Sequence, residues 1–409
     1  MAQNSRTWVP GGALLLGVVA LAGAPLAAGF SAGFGGIGRS GARPARWTCQ
    51  AKAPAAADSY TIVPSQLADS GGGWTIQGVK PPPKQGTVWA RPRPKVGEIK
   101  SLGVGSFGKL YLATDLKTGE EVAVKAETDL GKKTSPLRAE AEVLIHLQGG
   151  PGIPSVYWVG KRELAGENCN ILVMDLLGPD MEDLLEMMRV RKVSLKTGLM
   201  LTLQMLECLE HIHGQGVLHR DIKPENFLMG VRDNANKVYL IDYGMAGSYR
   251  DEFGTHKPKR KQTSPSLRGT LRYASVNKHD GWEQSRRDDL EELVFVAVYL
   301  MAGGLPWQSE EANTFDGLET QAFQRSRQMK RVRDAKANTP AAELCKGLPA
   351  QLASLLDYTR TLDFEEDPDY KWMEAQIKDA MDADGYTMDG TYDWGNKAQP
   401  IPQKRFGLF

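Results

Sequence analysis

Apolar positions recur with two different periods between residues 100 and 300. In "KLYLAT" (109–114), Leu110 and Leu112 alternate with Tyr111 and Ala113. That period of two predicts a strand. "EEVAVKAE" is a second apolar strand, ending near Lys125. "SPLRAEAEVLIHLQGG" changes period: Leu137, Val143, Leu144 and Leu147 mark one helical face, and Pro136 suits the first turn. "TGLMLTLQMLECLEHIHGQG" has apolar residues at 199, 203, 206 and 209 and glycines at its end, which predicts a buried helix. "KVYLIDYGMAG" reads as a short β-rich run leading to Asp242. The reading of "WTIQGV" (74–79) stays open between a strand and a linker.

The front of the chain has another texture. Residues 7–38 carry no charge, and "GGALLLGVVALAGAPLAAGF" is the apolar heart of that run. A short basic start, an apolar stretch and small residues at Ala27 and Gly29 predict a secretory signal over 1–29. A membrane anchor is the alternative, but the glycines and Pro25 make a weak helix. Residues 30–57 are rich in Gly, Ala, Ser and Arg, without an acid, which is transit-peptide composition. A signal followed by such a segment beginning with Phe30 resembles the two-part leaders of algae with secondary, red-lineage plastids. Plastid delivery is therefore the expected localisation, with the secretory pathway, a membrane anchor or the cytoplasm as alternatives. "SGGG", "KPPPK" and "RPRPK" make residues 58–94 an expected linker.

Length and composition narrow the class only a little. The 409 residues allow one large domain or two to three smaller ones, and 41% hydrophobic with 24% charged residues is ordinary for a folded protein. A net charge of +1 argues against a generic nucleic-acid binder. Four cysteines are no disulfide framework, and none is spaced as a metal or redox pair. Cys49, Cys169, Cys208 and Cys345 are expected as core or surface thiols.

The chemistry begins at "SLGVGSFGKLYLATD", where Gly103, Gly105 and Gly108 follow the order G-x-G-x-x-G. Dinucleotide-binding folds use this spacing too, but they need a helix after the glycines. Here a strand follows, the arrangement in which a glycine loop lies over phosphates. Lys125 on the next strand would pair the α- and β-phosphates and a glutamate of the following helix. Glu140 is the first choice for that partner and Glu142 the second. "VLHRDIKPENFLMG" fits the catalytic-loop template H-R-D-L-x-x-x-N, with Ile222 for Leu. Asp221 is the expected base, Asn226 a magnesium ligand, and Lys223 a neutralising charge on a transferring phosphoryl. His219 and Arg220 read as structural, with Arg220 placed to hold the activation segment. Asp242 is the expected second metal ligand, since Mg²⁺ prefers oxygen. Tyr243 stands where Phe is usual; it keeps the ring and adds a hydroxyl that needs a partner if buried.

Further motifs give the reading a branch. "HLQGGPGIPSVYWVG", "ILVMDLLGPDMEDLLE", "HRDIKPENFLMG", "LRYASVN", "EQSRRDDLEEL", "LPWQ", "CKGLPAQLASLLDYTRTLDFEEDPDY" and "YDWGN" resemble the casein kinase 1 family of Ser/Thr protein kinases over residues 96–396. In that family a Ser-Ile-Asn signature replaces Ala-Pro-Glu, and Ser275-Val276-Asn277 differs from it by one conservative change. The resemblance implies an α+β, bilobal protein kinase fold over 95–397, with a small β-rich lobe, a larger helical lobe and a short tail (398–409). It implies ATP and Mg²⁺ as cofactors. Leu102, Gly103, Val104, Gly105, Ser106, Phe107, Gly108 and Leu110 would cover the nucleotide. Ala123, Leu228 and Ile241 would sandwich the base, with Met174 behind it. Asp175 to Leu177 would form the hinge, and Asp183 would lie near the ribose. Thr270 would contact the catalytic aspartate and lysine, and Asp289 would brace the catalytic loop.

By the same resemblance, substrates are proteins that are acidic or already phosphorylated near the target, and Arg272 would bind their anion. "HKPKRKQ" (256–262) adds basic residues, unless it is only a solvated loop. The family's second anion-binding lysine does not align cleanly, leaving Arg325, Arg327 or Lys330 as substitutes. Thr263, Ser264 and Ser266 are candidate phosphorylation sites. A long inhibitory tail is not expected after "YDWGN". The expected mature chain is a monomer without nucleic acid or membrane partners. A catalytically weak pseudokinase scaffold is the competing reading, but Lys125, Asp221 and Asp242, the residues such proteins usually lose, are all present.

Overall fold

The computed structural model describes residues 62–64, 74–76 and 103–395, except 106–107, 116–117, 132–134, 165, 262–268 and 313–320. The leader (1–57), the tail (398–409), Cys49, Leu102, Ser106, Phe107, Thr263, Ser264 and Ser266 lie outside the described residues.

Five strands open the described chain: β1 (Ile62–Pro64), β2 (Trp74–Ile76), β3 (Gly103–Gly105), β4 (Gly108–Asp115) and β5 (Glu121–Thr128). Helix α1 (Pro136–Leu147) follows, then β6 (Val156–Leu164) and β7 (Glu167–Asp175). They make one sheet in the order β1-β2-β4-β5-β7-β6, with β3 also paired to β4. The pairings β3–β4, β4–β5, β5–β7 and β6–β7 are antiparallel. The period of two sorts this sheet into two faces. Val122, Val124, Ala126, Ile171 and Val173 pack together on one face. Ala123, Leu172 and Met174 face the other way, into the core that also holds Leu137, Ala141 and Leu144 of α1. Lys125 shares the parity of Ala123, so its side chain goes to the α1 side.

The expected linker is partly sheet. Strand β3 covers only Gly108 to Leu110 of β4, and Trp74–Ile76 pairs antiparallel with Ala113–Asp115. The far end of β4 would otherwise present unpaired backbone groups, and β2 satisfies them.

The rest is mainly helical. Its elements are α2 (Met181–Met187), α3 (Leu195–Gly214), β8 (Val217–Leu218), β9 (Phe227–Met229), β10 (Val238–Leu240) and β11 (Gly247–Ser248), then α4 (Val276–His279), α5 (Arg286–Ala302), α6 (Gln308–Ala312), α7 (Gln321–Asn338), α8 (Ala341–Leu344), α9 (Ala350–Thr361) and α10 (Tyr370–Ala383). Helix α5 is buried at nearly every position and packs against α3 and α9. Its charged first turns are buried along with its apolar remainder, which places it in the centre of the lobe. Its start is fixed by the Ser285 amide donating to Asp288 Oδ2 at 2.7 Å, and its end by Gly303 at φ 84°. Among the described residues of this helical part, the hairpin β9–β10 and the pair β8–β11 are the strand pairs, and they frame the loop between β8 and β9. Cys169, Cys208 and Cys345 are buried free thiols. Burial pushes Cys208 up to about 12 and Cys345 to about 11. No described helix is long and apolar enough to cross a membrane.

The chain after α10 returns to the start of α3. Asp393 accepts from the Ser194 amide at 2.6 Å and its hydroxyl at 2.7 Å, and Lys196 pairs with Asp389 at 2.6 Å. Trp394 is buried and stacks on Tyr392 at 5.0 Å. Removing a buried indole costs about 3–5 kcal/mol. Trp394→Ala should therefore lower the thermal midpoint by several degrees, measured by calorimetry. An unchanged midpoint would mean that residues 389–394 are not part of the core.

Candidate active site

Strand parity brings the first charge pair together. Lys125 on β5 points at α1, where Glu140 stands on the buried side beside Ala141 and Leu144. The ammonium meets Glu140 Oε1 at 2.8 Å and Oε2 at 2.6 Å. Glu140, not Glu142, is thus the partner. Burial opposes the charge of Lys125, but Glu140 and Asp242 outweigh it and raise its pKa above the ordinary lysine value. Breaking a buried pair of this kind costs about 3–5 kcal/mol.

The loop between β8 and β9 carries the second group of charges. Asp221 Oδ2 lies 3.0 Å from Lys223 Nζ, and Asp221 Oδ1 accepts from the Thr270 amide at 3.4 Å. Thr270 therefore reaches Asp221 through its backbone. Burial disfavours the Asp221 carboxylate, yet Lys223 and Lys278 hold its pKa below the ordinary value. Asn226 donates its amide nitrogen to the Asp221 carbonyl at 2.7 Å, which orients the amide and leaves its oxygen as the acceptor. Gly269 sits at φ +96°, and a Cβ there would come 2.6 Å from Asp221 Oδ1. Only glycine lets the chain pass so close to that carboxylate.

Asp289, in the first turn of α5, holds this loop. Its Oδ2 accepts from the His219 amide at 2.8 Å and its Oδ1 from the Arg220 amide at 2.9 Å. His213 Nε2 is 2.9 Å from Oδ2. An ionised carboxylate only accepts, so Nε2 carries a proton, and Nδ1 lies 2.6 Å from the Tyr370 hydroxyl. Burial opposes the Asp289 charge, but the hydrogen bond from His213 holds its pKa below the ordinary carboxylate value. Arg220, at φ 69°, lays its guanidinium over Gly247 of β11, which joins the loop to the segment after Asp242.

Asp242 has left-handed backbone, φ 66° and ψ 68°. A non-glycine residue there carries about 1–3 kcal/mol of strain and is found mainly at functional sites. Its charge is close enough to raise the pKa of Lys125. Among the described residues no three His, Cys, Asp or Glu side chains form a metal cage. Mg²⁺ needs no such cage, because it keeps waters and phosphate oxygens and takes only one or two protein oxygens. Asn226 and Asp242 fit that requirement.

Ala123 pairs across the sheet with Met174, and Leu110 with Lys125. Leu228 is buried on β9, and the Ile241 amide donates to the Asn226 carbonyl at 2.9 Å. Asp175 accepts from the Tyr157 hydroxyl at 2.5 Å and the Ser155 amide at 2.8 Å. The Leu177 amide has no partner among the described residues. Asp183 lies in the first turn of α2, its amide on Asp180 Oδ1 at 2.8 Å. Gly103, Val104 and Gly105 form β3, and Gly108 begins β4.

The Arg272 guanidinium lies 5.9 Å from the Tyr273 ring and 5.8 Å from the Tyr299 ring, while the Arg272 carbonyl accepts from Trp307 Nε1 at 2.7 Å. Lys336, buried on α7, donates to the carbonyls of Leu271 and Ala274 at 2.7 and 2.6 Å. Sequence reasoning missed this lysine, because a basic helix reads as a solvated face. Arg325, Arg327 and Lys330 are exposed on the same helix. The basic stretch from His256 is anchored as well: Lys257 donates to the Ser248 carbonyl at 2.7 Å, and Lys259 and Lys261 cover the Trp282 ring at 4.7 and 5.2 Å.

Tyr243 is buried edge-on to His219 at 5.1 Å, and its hydroxyl has no partner among the described residues. A buried hydroxyl without a partner costs about 1–3 kcal/mol. Tyr243→Phe should therefore stabilise the chain by about 1 kcal/mol, read as a higher midpoint in denaturant unfolding. A loss of stability would reveal a partner for that oxygen.

The arrangement has a counterpart among known families. The family model described as "Protein kinase domain" matches residues 96–364, well over half of the chain. Glycine-loop strands, a lysine–glutamate pair and a loop aspartate braced by a buried carboxylate fall within that span, and the chain belongs to the protein kinase family.

Proposed function

We propose that this chain is an active Ser/Thr protein kinase of casein kinase 1 type, and that it acts on protein substrates that are acidic or already phosphorylated. The observation that carries the reading is the pairing at Asp221: one carboxylate oxygen on Lys223, the other on the Thr270 amide, and the carbonyl on Asn226. A buried carboxylate kept ionised beside two lysines is prepared to accept the proton of a substrate hydroxyl. Lys223 is placed to neutralise charge on the transferring phosphoryl. Lys125, fixed by Glu140, binds the α- and β-phosphates, and the backbone of Gly103, Gly105 and Gly108 covers them. Asn226 and Asp242 would hold Mg²⁺. That ion, when bound, neutralises phosphate charge and orients the nucleotide. Met174, Ala123, Leu228 and Ile241 line the adenine pocket, with the backbone of Asp175 to Leu177 as its hydrogen-bonding edge. Arg272, whose guanidinium lies near the Tyr273 and Tyr299 rings, is the residue we assign to a phosphate or carboxylate of the substrate.

Phosphorylation of casein by the full chain tests this. The wild type should transfer phosphate from Mg·ATP to Ser and Thr, and Asp221→Asn should lower kcat by about a hundredfold or more. Nucleotide binding without transfer would favour the pseudokinase reading. Transfer that survives Asp221→Asn would remove that residue as the base.

A further inference from the structure

One buried charge pair stands directly behind the loop that carries Asp221. Lys278 lies in α4, one residue past Ser275-Val276-Asn277, and Glu292 lies in α5. Their side chains are 6% and 1% exposed, and Lys278 Nζ is 3.2 Å from Glu292 Oε1. Burying two charges is costly, and one ion pair offsets that cost poorly. The pair's other bonds indicate what it holds. Lys278 donates to the Arg220 carbonyl at 2.6 Å. Glu292 Oε2 accepts from the Ile222 amide, and its Oε1 from the Ser275 amide, each at 3.2 Å. The residues on either side of Asp221 are therefore gripped, one by each member of the pair. The Lys278 ammonium also lies against Gly269, at the point where that glycine passes the Asp221 carboxylate.

We propose that Lys278 and Glu292 form a buried clamp that positions Asp221 for proton transfer, making both of them positioning residues of the reaction. The inference rests on Asp221 being the base. Both side chains are buried behind the loop. A pair retained only for stability would need no bonds to this loop, since apolar residues of similar shape serve stability as well or better. Three of the pair's hydrogen bonds instead end on backbone atoms of Arg220, Ile222 and Ser275.

Removing one member strands the other's charge in the interior and is strongly destabilising. The informative variant is the double replacement Lys278→Met/Glu292→Leu in the full chain. Two readouts are compared with wild type: kcat and KM for ATP and casein, and amide exchange at Ile222 and Arg220 by NMR. The variant should fold, with kcat lowered at least about tenfold and KM for ATP changed by less than about twofold. The Ile222 amide should exchange at least about tenfold faster, while the Arg220 amide, held by Asp289, keeps its protection. If kcat or the Ile222 exchange stays within about twofold of wild type, the clamp is overturned. Should the double variant not fold, Glu292→Asp, which keeps the charge but shortens its reach to the Ile222 amide, is judged by the same readouts. If the wild type transfers no phosphate, the proposed function fails, and the exchange measurement alone still decides the clamp.

Discussion

The buried carboxylate of Asp289 is the point to which the rest of the site is referred. It sits in the first turn of α5, where the helix N-terminus favours negative charge. It accepts from two consecutive loop amides and shares a hydrogen bond with His213 at the end of α3. The loop at 219–226 is short and turns sharply, with Arg220 in left-handed backbone. Such a loop cannot satisfy all of its own amides, and those of 219, 220 and 222 go to α5. Asp289 accepts from them on one side, and Glu292, one turn along the same helix, does so on the other. The central helix of the lobe therefore fixes the loop by two carboxylates rather than by apolar packing alone.

From that support the charges alternate outward. Lys278 and Lys223 flank Asp221, and Asp242 is close enough to the Lys125–Glu140 pair of the sheet to act on its charges. Each of these charges has an opposite neighbour, which favours its ionised form against the cost of burial. The proposed phosphotransfer uses this directly, because its demands are positioning and charge neutralisation.

Much of this was legible in the residues, for reasons that differ by element. Asp221, Lys223 and Asn226 are close in sequence, so one quoted loop carries their whole arrangement. Lys125 and Glu140 are fifteen residues apart, yet a strand of period two and a helix of period 3.6 suffice to face them toward each other. The strand Trp74–Ile76 was not decidable, because its stability comes from an unpaired length of β4 rather than from its own three residues. Lys278, Glu292 and Lys336 escaped for a common reason. A single lysine or glutamate in a helical pattern reads as a surface charge, and only tertiary packing reveals that backbone carbonyls and amides receive it. Tyr243 shows the reverse limit: its hydroxyl is evident in the sequence, but its lack of a partner is a property of the packed site.

The central claim is that Asp242 and the Lys125–Glu140 pair prepare a site for a metal-bound nucleotide. Calorimetric titration of the full chain with ATP, with and without Mg²⁺, tests it most directly. ATP should bind more tightly by at least about tenfold when Mg²⁺ is present, and Asp242→Asn should abolish that difference. Equal affinity with and without the metal, or a metal effect that persists in Asp242→Asn, would contradict the account.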